Sequence, residues 1–317
     1  MSLVPLDAIH DAAARIGSIA RRTPVVEASH LAERPLWLKC ESHQPGGAFK
    51  IRGATNMLMR LDAAARARGV VTYSSGNHGQ AVALAAARLG VTAVIVMPTT
   101  APAVKVEGAR ALGAEILFEG TTTLHRKARA EQEQQARGLA MIPPFDHEWI
   151  IEGQGTAGLE ILEQAPDVAT VAVQIGGGGL IAGVSAAVKA LRPAVRVIGV
   201  EPEGAAKMTA SRKAGQPVTL ERTVSIADGL LAVRPGDLPF LHAQQFVDEV
   251  VTVSDAAIAH ATIWLFEKAR LVVEPSGAAA LAAVFEGRIP GTGPVVVMIS
   301  GGNISRESLA ALKSRHG

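Results

Sequence analysis

The chain alternates short, continuously apolar runs with longer segments whose apolar residues recur at helical spacing, and this alternation most constrains its fold. The predicted strands are Leu36–Glu41, Val70–Ser74, Thr92–Met97, Glu115–Phe118, Val171–Ile175, Val195–Val200, Val250–Val253 and Val295–Ile299. The predicted helices between them include Gln80–Leu89, Lys105–Leu112, Thr121–Arg137, Leu180–Leu191 and Asp255–Ala269. Strands that are apolar along their whole length and alternate with helices indicate parallel sheets covered on both faces, so an α/β fold is predicted.

Composition excludes several classes of protein. The 317 residues are 48% hydrophobic and 19% charged, which is enough apolar material for a large core, so a disordered chain is excluded. The formal net charge is only +2 and aromatic residues make up 3%, so we expect neither a nucleic acid nor a membrane as a partner. The uncharged stretch 168–188 has four glycines in its middle, and it is interpreted as a strand, a loop and a helix rather than a membrane span.

The cysteine content and the N-terminus indicate the cellular compartment. Cys40 is the only cysteine, so no internal disulfide can form and a cysteine-rich metal site is excluded. We expect it to be a buried, inert thiol. The N-terminus lacks the apolar block of a signal peptide, which favours a cytoplasmic protein.

Three times, a predicted strand runs into a loop of small residues that opens a helix. The loops are Ser74–Gln80, Gly176–Leu180 and Ser300–Ile304. At each one, unpaired backbone N–H groups and the positive end of a helix lie at the carboxyl end of a strand, which makes an anion site. Three such loops in one chain predict a ligand with several anionic or polar groups, such as a phosphate and a carboxylate.

The second of these loops also fits a different class of enzyme. Gly177-x-Gly179-x-x-Ala182 matches a dinucleotide-binding fingerprint, and Glu201 ends the next strand about where a ribose-binding acid belongs. A nicotinamide-dependent oxidoreductase is therefore an alternative. Four consecutive glycines at 176–179, however, suit a terminal phosphate better than a bridging pyrophosphate.

One lysine stands at the start of a predicted helix. Lys50 follows the small-residue turn 44–48, is flanked by Phe49 and opens the helix. Partial desolvation at a helix N-terminus lowers the pKa of an amine and makes it a better nucleophile toward an aldehyde. Alone, Lys50 is better interpreted as an ordinary surface lysine. Together with the four-glycine loop, it matches a cofactor that carries both an aldehyde and a 5′-phosphate.

Seven motifs occur in an order that resembles one family of enzymes. They are Gln44–Ala54, Ser74–Gln80, Gly153–Thr156, Gly176–Leu180, Ala227–Gly229, Glu274–Gly277 and Ser300–Asn303. Together they resemble the serine/threonine dehydratase and serine racemase branch of the tryptophan-synthase-β-like (fold-type II) pyridoxal-phosphate enzymes, over nearly the whole chain.

The resemblance implies a particular architecture. It implies two domains, each an open, mostly parallel sheet flanked by helices, with pyridoxal 5′-phosphate bound between them. Residues 1–60 and 147–317 would form the large domain, and residues 61–146 would form a small inserted domain. The resemblance also implies a homodimer that takes a small amino acid as its substrate.

The resemblance further implies a role for each site residue. Lys50 would bind the cofactor aldehyde covalently and later take the α-proton of the substrate, while Phe49 packs near the ring. Asn77 would hydrogen-bond the ring 3-hydroxyl, and Ser300 would face the pyridine nitrogen. The phosphate would be held by the backbone N–H groups of Gly176, Gly177, Gly178, Gly179 and Leu180. The substrate carboxylate would be received by Ser74, Ser75, Gly76, Asn77 and His78.

The implied reaction is an α,β-elimination. A small β-hydroxy amino acid, with L-threonine or L-serine as the default, would be deaminated to a 2-oxo acid and ammonia. The hydroxyl of Ser300 cannot keep the pyridine nitrogen protonated as an aspartate would, which favours loss of a β-leaving group over transamination. By analogy with serine racemase, Ser75 lies on the opposite face of the ring and could return a proton, so racemisation is one alternative. A dehydratase for 3-hydroxyaspartate or a bulkier β-hydroxy amino acid is another.

Three departures from the family pattern narrow these expectations. Gly46-Gly47-Ala48 replaces the common Thr-Gly-Ser, which removes two hydroxyls near the substrate. At the cation site of metal-dependent relatives, Glu201 and the Ala205 carbonyl are present, but Lys207 stands where an acid would bind the ion. We therefore expect no divalent metal there, and either a monovalent cation or the Lys207 ammonium would fill the site. The sequence ends at Gly317, so no appended regulatory domain is expected.

Overall fold

The computed structural model describes residues 2–74 and 76–316, and within these ranges ten strands alternate with thirteen α-helices. The strands are β1 (Val25–Glu27), β2 (Leu36–Cys40), β3 (Val70–Thr72), β4 (Ala93–Met97), β5 (Glu115–Phe118), β6 (Ala140–Met141), β7 (Thr170–Gln174), β8 (Arg196–Pro202), β9 (Glu249–Val253) and β10 (Val295–Ile299). The helices are α1 (Leu6–Ile16), α2 (Lys50–Arg60), α3 (Ala63–Arg68), α4 (Asn77–Leu89), α5 (Ala103–Ala111), α6 (Thr123–Arg137), α7 (Glu148–Gln164), α8 (Gly179–Leu191), α9 (Lys207–Ala214), α10 (Asp237–Phe246), α11 (Asp255–Glu267), α12 (Pro275–Phe285) and α13 (Arg306–His316).

Six strands form the larger sheet, in the order β1-β2-β10-β7-β8-β9. Neighbouring strands in this sheet are parallel, except that β1 is antiparallel to β2. Strand β10 lies between two strands that are far from it in sequence, with Val295 opposite both Leu36 and Thr170. Because parallel strands end at the same edge of a sheet, the loops that follow β2, β10 and β7 are brought side by side at that edge.

Four parallel strands form the smaller sheet, in the order β5-β4-β3-β6, and all of them lie within residues 70–141. One apolar cluster contains Ile95 of β4, Val82 of α4 and Leu58 of α2, and all three side chains are fully buried. The smaller sheet is therefore packed, through α4, against the helix that begins at Lys50.

Four charged side chains form a buried network that joins β2, α2 and α7. Arg52 donates to both carboxylate oxygens of Glu41, each at 2.7 Å, and to both oxygens of Glu160, at 2.7 and 2.8 Å. Lys39 donates to Glu160 at 2.5 Å. Lys39, Glu41 and Arg52 are at most 1% exposed, and two positive charges balance two negative ones, as burial of charge requires. The network fixes α2 to the larger sheet.

The predicted α/β fold is confirmed, with small differences at the ends of elements. The stretch 168–188 contains β7, a loop and α8, and no helix within the described ranges is long and apolar enough to cross a membrane. Strand β3 ends at Thr72 and helix α4 begins at Asn77, so the loop between them is shifted toward the N-terminus of the predicted one. Strands β1 and β6, which were not predicted, have only three and two residues, too few to show a periodic pattern. Cys40 is buried as expected, and burial raises the pKa of its thiol to about 12.

Candidate active site

The loop before α2 holds Lys50 against the end of β10. Ala48 pairs with Gly301 in an isolated antiparallel bridge, and the N–H of Phe49 donates to the carbonyl of Ser300 at 3.0 Å. Helix α2 then begins at Lys50 itself. The loops after β2 and β10 are thus joined by main-chain hydrogen bonds. These bonds position the backbone of Lys50 independently of the contacts of its side chain.

The Lys50 amine lies against a main-chain carbonyl and an aromatic ring. Its Nζ donates to the carbonyl oxygen of Pro144 at 2.6 Å and lies 5.1 Å from the centre of the Phe49 ring. Burial lowers the pKa of Lys50 to about 8, because the charged form loses its hydration there. More of the amine is therefore neutral near physiological pH than in an ordinary lysine, and only the neutral form of an amine can act as a nucleophile or a base.

The loop Gly176–Leu180 connects β7 to α8 in a space too tight for side chains. A Cβ on Gly177 would lie 2.2 Å from the Phe145 ring, and one on Gly179 would lie 3.0 Å from the Phe145 carbonyl oxygen. Gly178, which precedes α8, has a φ of 97°, a conformation that favours glycine. The first N–H groups of α8 have no partner within the helix, so the loop presents several donors at one place, as an anion site requires.

The dipeptide Pro144-Phe145 connects the lysine to the glycine loop. The Pro144 carbonyl accepts from Lys50, and the ring of the next residue packs on Gly177. The sequence predicts no role toward a cofactor for either residue. A backbone carbonyl has no residue-type signature, so the Pro144 contact could not be found from the sequence.

The segment predicted to receive a carboxylate connects β3 to α4. Ser75 lies outside the described residues. The Ser74 hydroxyl accepts from the N–H of Gly76 at 3.3 Å, and Gly76 precedes the first turn of α4, where N–H groups are available to an anion. The His78 side chain points elsewhere: it is 3% exposed, with Nε2 3.0 Å from the carbonyl oxygen of Ile142. Burial lowers the pKa of the His78 side chain to about 3, so the imidazole stays neutral. Because that side chain contacts Ile142, the group of His78 available to a carboxylate is its backbone N–H.

The amide of Asn77 is held between two side chains beside the end of β10. Its Nδ2 donates to Glu274 Oε1 at 2.5 Å, and its Oδ1 accepts from Asn303 Nδ2 at 2.8 Å. A Cβ on Gly301 would lie 2.4 Å from Glu274 Oε1 and 3.2 Å from Asn77 Nδ2. The neighbouring Ser300 is 4% exposed. The structure thus brings Asn77 to the loop that contains Ser300.

Glu274 begins the motif Glu274–Gly277, but the sequence predicts no role for it. It directly precedes α12, an eleven-residue helix that is almost entirely apolar and buried. Burial raises the pKa of Glu274 to about 7. A sequence pattern could have indicated this residue: an acid stands directly before a helix that is apolar on all sides. Such a helix is buried, so the carboxyl before it is expected to be buried as well.

Glu201 is enclosed, and this removes one support for a nicotinamide enzyme. Its Oε1 accepts from the N–H of Met208 at 2.8 Å, and its Oε2 accepts from the N–H of Thr209 at 2.9 Å. The Lys207 Nζ lies 3.3 Å from Oε1, and the Glu201 side chain is 0% exposed. The carboxylate of Glu201 is thus occupied by these partners, and the alternative in which Glu201 binds a ribose loses its support.

Comparisons with known proteins agree with this geometry. A family profile described as "Pyridoxal-phosphate dependent enzyme" matches residues 16–301. The L-threonine ammonia-lyase of Geobacter sulfurreducens is 40% identical over 317 residues, which covers 99% of this chain and 79% of that protein. Among solved structures, maize serine racemase aligns with a TM-score of 0.94 at 40% identity, covering 99% of this chain and 98% of the other. The processed form of threonine deaminase isoform 2 from Solanum lycopersicum aligns with a TM-score of 0.92 at 36% identity, covering 97% of this chain and 87% of the other.

Proposed function

The chain belongs to the pyridoxal-phosphate-dependent enzyme family, and we propose that it deaminates a small β-hydroxy amino acid of the L-threonine or L-serine type. The products are a 2-oxo acid and ammonia. The single observation that carries this proposal is the amine of Lys50, with a pKa of about 8, which is held by the Pro144 carbonyl next to the residue that packs on the glycine loop. The 40% identity with an L-threonine ammonia-lyase over nearly the whole chain supports the substrate class.

The residues present fit pyridoxal 5′-phosphate. The glycine loop has no room for a Cβ at Gly177 or Gly179 and offers backbone donors, which suits a phosphate. Lys50 supplies the amine that an aldehyde needs, and Asn77 and Ser300 supply polar groups at the end of β10. When bound, the cofactor withdraws electrons from the substrate α-carbon, which labilises the α C–H bond and the bond to the β-hydroxyl.

The chain's own residues then move one proton and hold the substrate. The neutral amine of Lys50 takes the α-proton, and the β C–O bond breaks as the hydroxyl leaves with that proton as water. The enamine that results takes up one water and releases ammonia, so no water is gained or lost overall. The N–H groups of Asn77 and His78, in the first turn of α4, hold the substrate carboxylate through the whole sequence.

The central experiment uses the Lys50→Ala variant. Purified wild-type protein should take up pyridoxal phosphate and then absorb light at the violet end of the visible spectrum. It should also release a 2-oxo acid from L-threonine or L-serine. Lys50→Ala should lose both the absorbance and the activity, whereas Lys127→Ala, which removes a surface lysine, should retain them. A colourless wild-type protein that takes up no pyridoxal phosphate would show that the proposed function is wrong.

Racemisation is a second candidate, because maize serine racemase is also 40% identical and because Ser75 is predicted to lie opposite Lys50. A racemase needs a proton donor on the second face of the substrate, and a hydroxyl can serve. Chiral analysis of the substrate left after partial turnover separates the two reactions. If the D-enantiomer accumulates and Ser75→Ala abolishes it while elimination persists, racemisation is the second activity of this site.

We also propose that the chain acts in the cytoplasm as a homodimer and that residues 61–146 form the small inserted domain. The confinement of the smaller sheet to residues 70–141 supports the domain limits. Sedimentation of the holoenzyme tests the dimer, and a sedimenting mass equal to one chain of 32.8 kDa would contradict it.

A further inference from the structure

Lys207 carries a buried charge that the proposed reaction does not use. Its side chain is 0% exposed. Its Nζ donates to the carbonyl oxygens of Ile175 at 2.7 Å, Ala205 at 3.0 Å and Leu230 at 3.0 Å, and Glu201 Oε1 lies 3.3 Å away. Three carbonyls at these distances need three N–H donors, which only the protonated lysine has. We call the four oxygens around this ammonium the oxygen cage.

The oxygen cage joins the start of the glycine loop to a second loop. Ile175 directly precedes Gly176. A Cβ on Gly176 would lie 2.9 Å from the carbonyl oxygen of Gly229, the residue before Leu230. The Lys207 ammonium therefore draws together two main-chain segments whose close approach shapes the first part of the glycine loop.

The cage is organised around a positive charge. Glu201 is 0% exposed and also receives N–H groups from the first turn of α9, where a carboxylate is favoured. Without the ammonium, three carbonyl oxygens would lose their shared donor in the interior and the buried Glu201 carboxylate would lose its positively charged partner, which is costly. Oxygen ligands at such distances, with one carboxylate among carbonyls, are the kind of donor set that binds hard cations.

We propose that Lys207 is a tethered cation: its ammonium takes the place of a bound monovalent cation in the oxygen cage and holds the glycine loop in the form that binds phosphate. Lys207 is thus a positioning residue, which acts through main-chain segments and touches no reacting atom. The inference rests on the proposed function only in that the glycine loop is taken to bind the cofactor phosphate.

The test compares Lys207→Ala with wild type in a series of chloride salts at equal ionic strength. In tetramethylammonium chloride, whose cation is too large for the cage, Lys207→Ala should bind pyridoxal phosphate about tenfold more weakly than wild type and unfold at a lower temperature. Ammonium or potassium should restore both quantities, because a ligand that binds only the folded state stabilises it. The matched variant Lys207→Met fills the same space without charge and should not respond to the choice of cation.

Wild-type protein provides an independent arm that does not depend on whether a variant folds. Its cage is already filled, so its unfolding temperature and its dissociation constant for pyridoxal phosphate should be the same in sodium, potassium and ammonium chloride. A potassium-specific gain in wild type, or equal losses of Lys207→Ala in every salt, would overturn the proposal. The unfolding temperatures are also measured on cofactor-free protein. The effect of the cations on the oxygen cage is therefore observed even if the wild type fails to bind the cofactor.

Discussion

Lys50 and Glu274 show how burial changes the protonation of single side chains at this site. Burial disfavours the charged form of each, so it lowers the pKa of the amine to about 8 and raises the pKa of the carboxyl to about 7. The two groups shift toward neutrality from opposite directions. Each shift predicts a pH dependence of its own.

For Lys50, the rate at which cofactor-free protein captures pyridoxal phosphate should rise with pH and reach half of its maximum near pH 8. Only the neutral amine attacks an aldehyde, and burial brings that form into the accessible range. Stopped-flow absorbance measures the rate. A rate that still climbs steeply above about pH 9.5 would place the pKa at the ordinary value for lysine and contradict the prediction.

For Glu274, the variant Glu274→Gln should alter the pH dependence of stability. The folded-state pKa of the carboxyl is raised to about 7. The protonated carboxyl therefore contributes fully to the free energy of unfolding below the unfolded-state pKa, and this contribution is lost as the pH rises through about 7. Relative to wild type, Glu274→Gln should therefore gain roughly 3 kcal/mol between acidic pH and pH 8. Denaturant unfolding of the cofactor-free proteins at several pH values measures this difference, and parallel pH profiles would contradict it.

At the scale of elements, the ends of three strands determine where the loops of the candidate site lie. The loops after β2, β7 and β10 were predicted to carry Lys50, the glycine loop and Ser300, and the strand order places these loops side by side. The glycine loop itself depends on the absence of side chains. At Gly177 it packs directly against the Phe145 ring.

The variant Gly177→Ala should weaken cofactor binding about tenfold and destabilise the fold by about 1–3 kcal/mol. Its Cβ would lie 2.2 Å from the Phe145 ring, so the ring or the loop must move. The control is Gly108→Ala in α5, where a Cβ meets nothing within 4 Å; it should leave cofactor binding unchanged and stabilise the helix by up to about 1 kcal/mol. Titration with pyridoxal phosphate and thermal unfolding measure both effects, and equal behaviour of the two variants would contradict the clash.

The sequence predicted the elements that have a local pattern and missed the contacts that depend on distant residues. The strands Glu115–Phe118 and Val295–Ile299 have the predicted limits, because continuous apolar runs bounded by small or polar residues mark buried strands. The glycine loop was singled out because it connects a predicted strand to a predicted helix, and Lys50 because it opens a helix after a small-residue turn and matches that loop in its chemistry. The Pro144 carbonyl, the Asn303 contact to Asn77 and the turn of His78 toward Ile142 arise only when separate segments meet.

At the scale of the whole molecule, the buried network around Arg52 connects helix α2, which begins at Lys50, to the larger sheet. Four charges are satisfied there only by one another and by nearby polar groups. Such a network is stable when complete and costly when one member is lost.

Arg52→Met should therefore destabilise the folded protein by about 3–5 kcal/mol, since it leaves Glu41 charged and buried without its partner. The matched control is Arg137→Met, which removes an exposed pair with Glu115 at 2.9 Å and should cost at most about 1 kcal/mol. Denaturant unfolding of both variants gives the comparison. Similar losses in the two would mean that the Arg52 network contributes no more than a surface ion pair.

The position of β10 has a consequence for how the polypeptide folds as it is synthesised. All four strands of the smaller sheet leave the ribosome before β10 does, by on the order of ten seconds, so that sheet can pair at once. The larger sheet cannot, because its strands β2 and β7 must keep a gap of one strand until Val295–Ile299 emerges. A nascent chain arrested before that point exposes two apolar strand edges, which makes it a target for chaperones until translation delivers the missing strand.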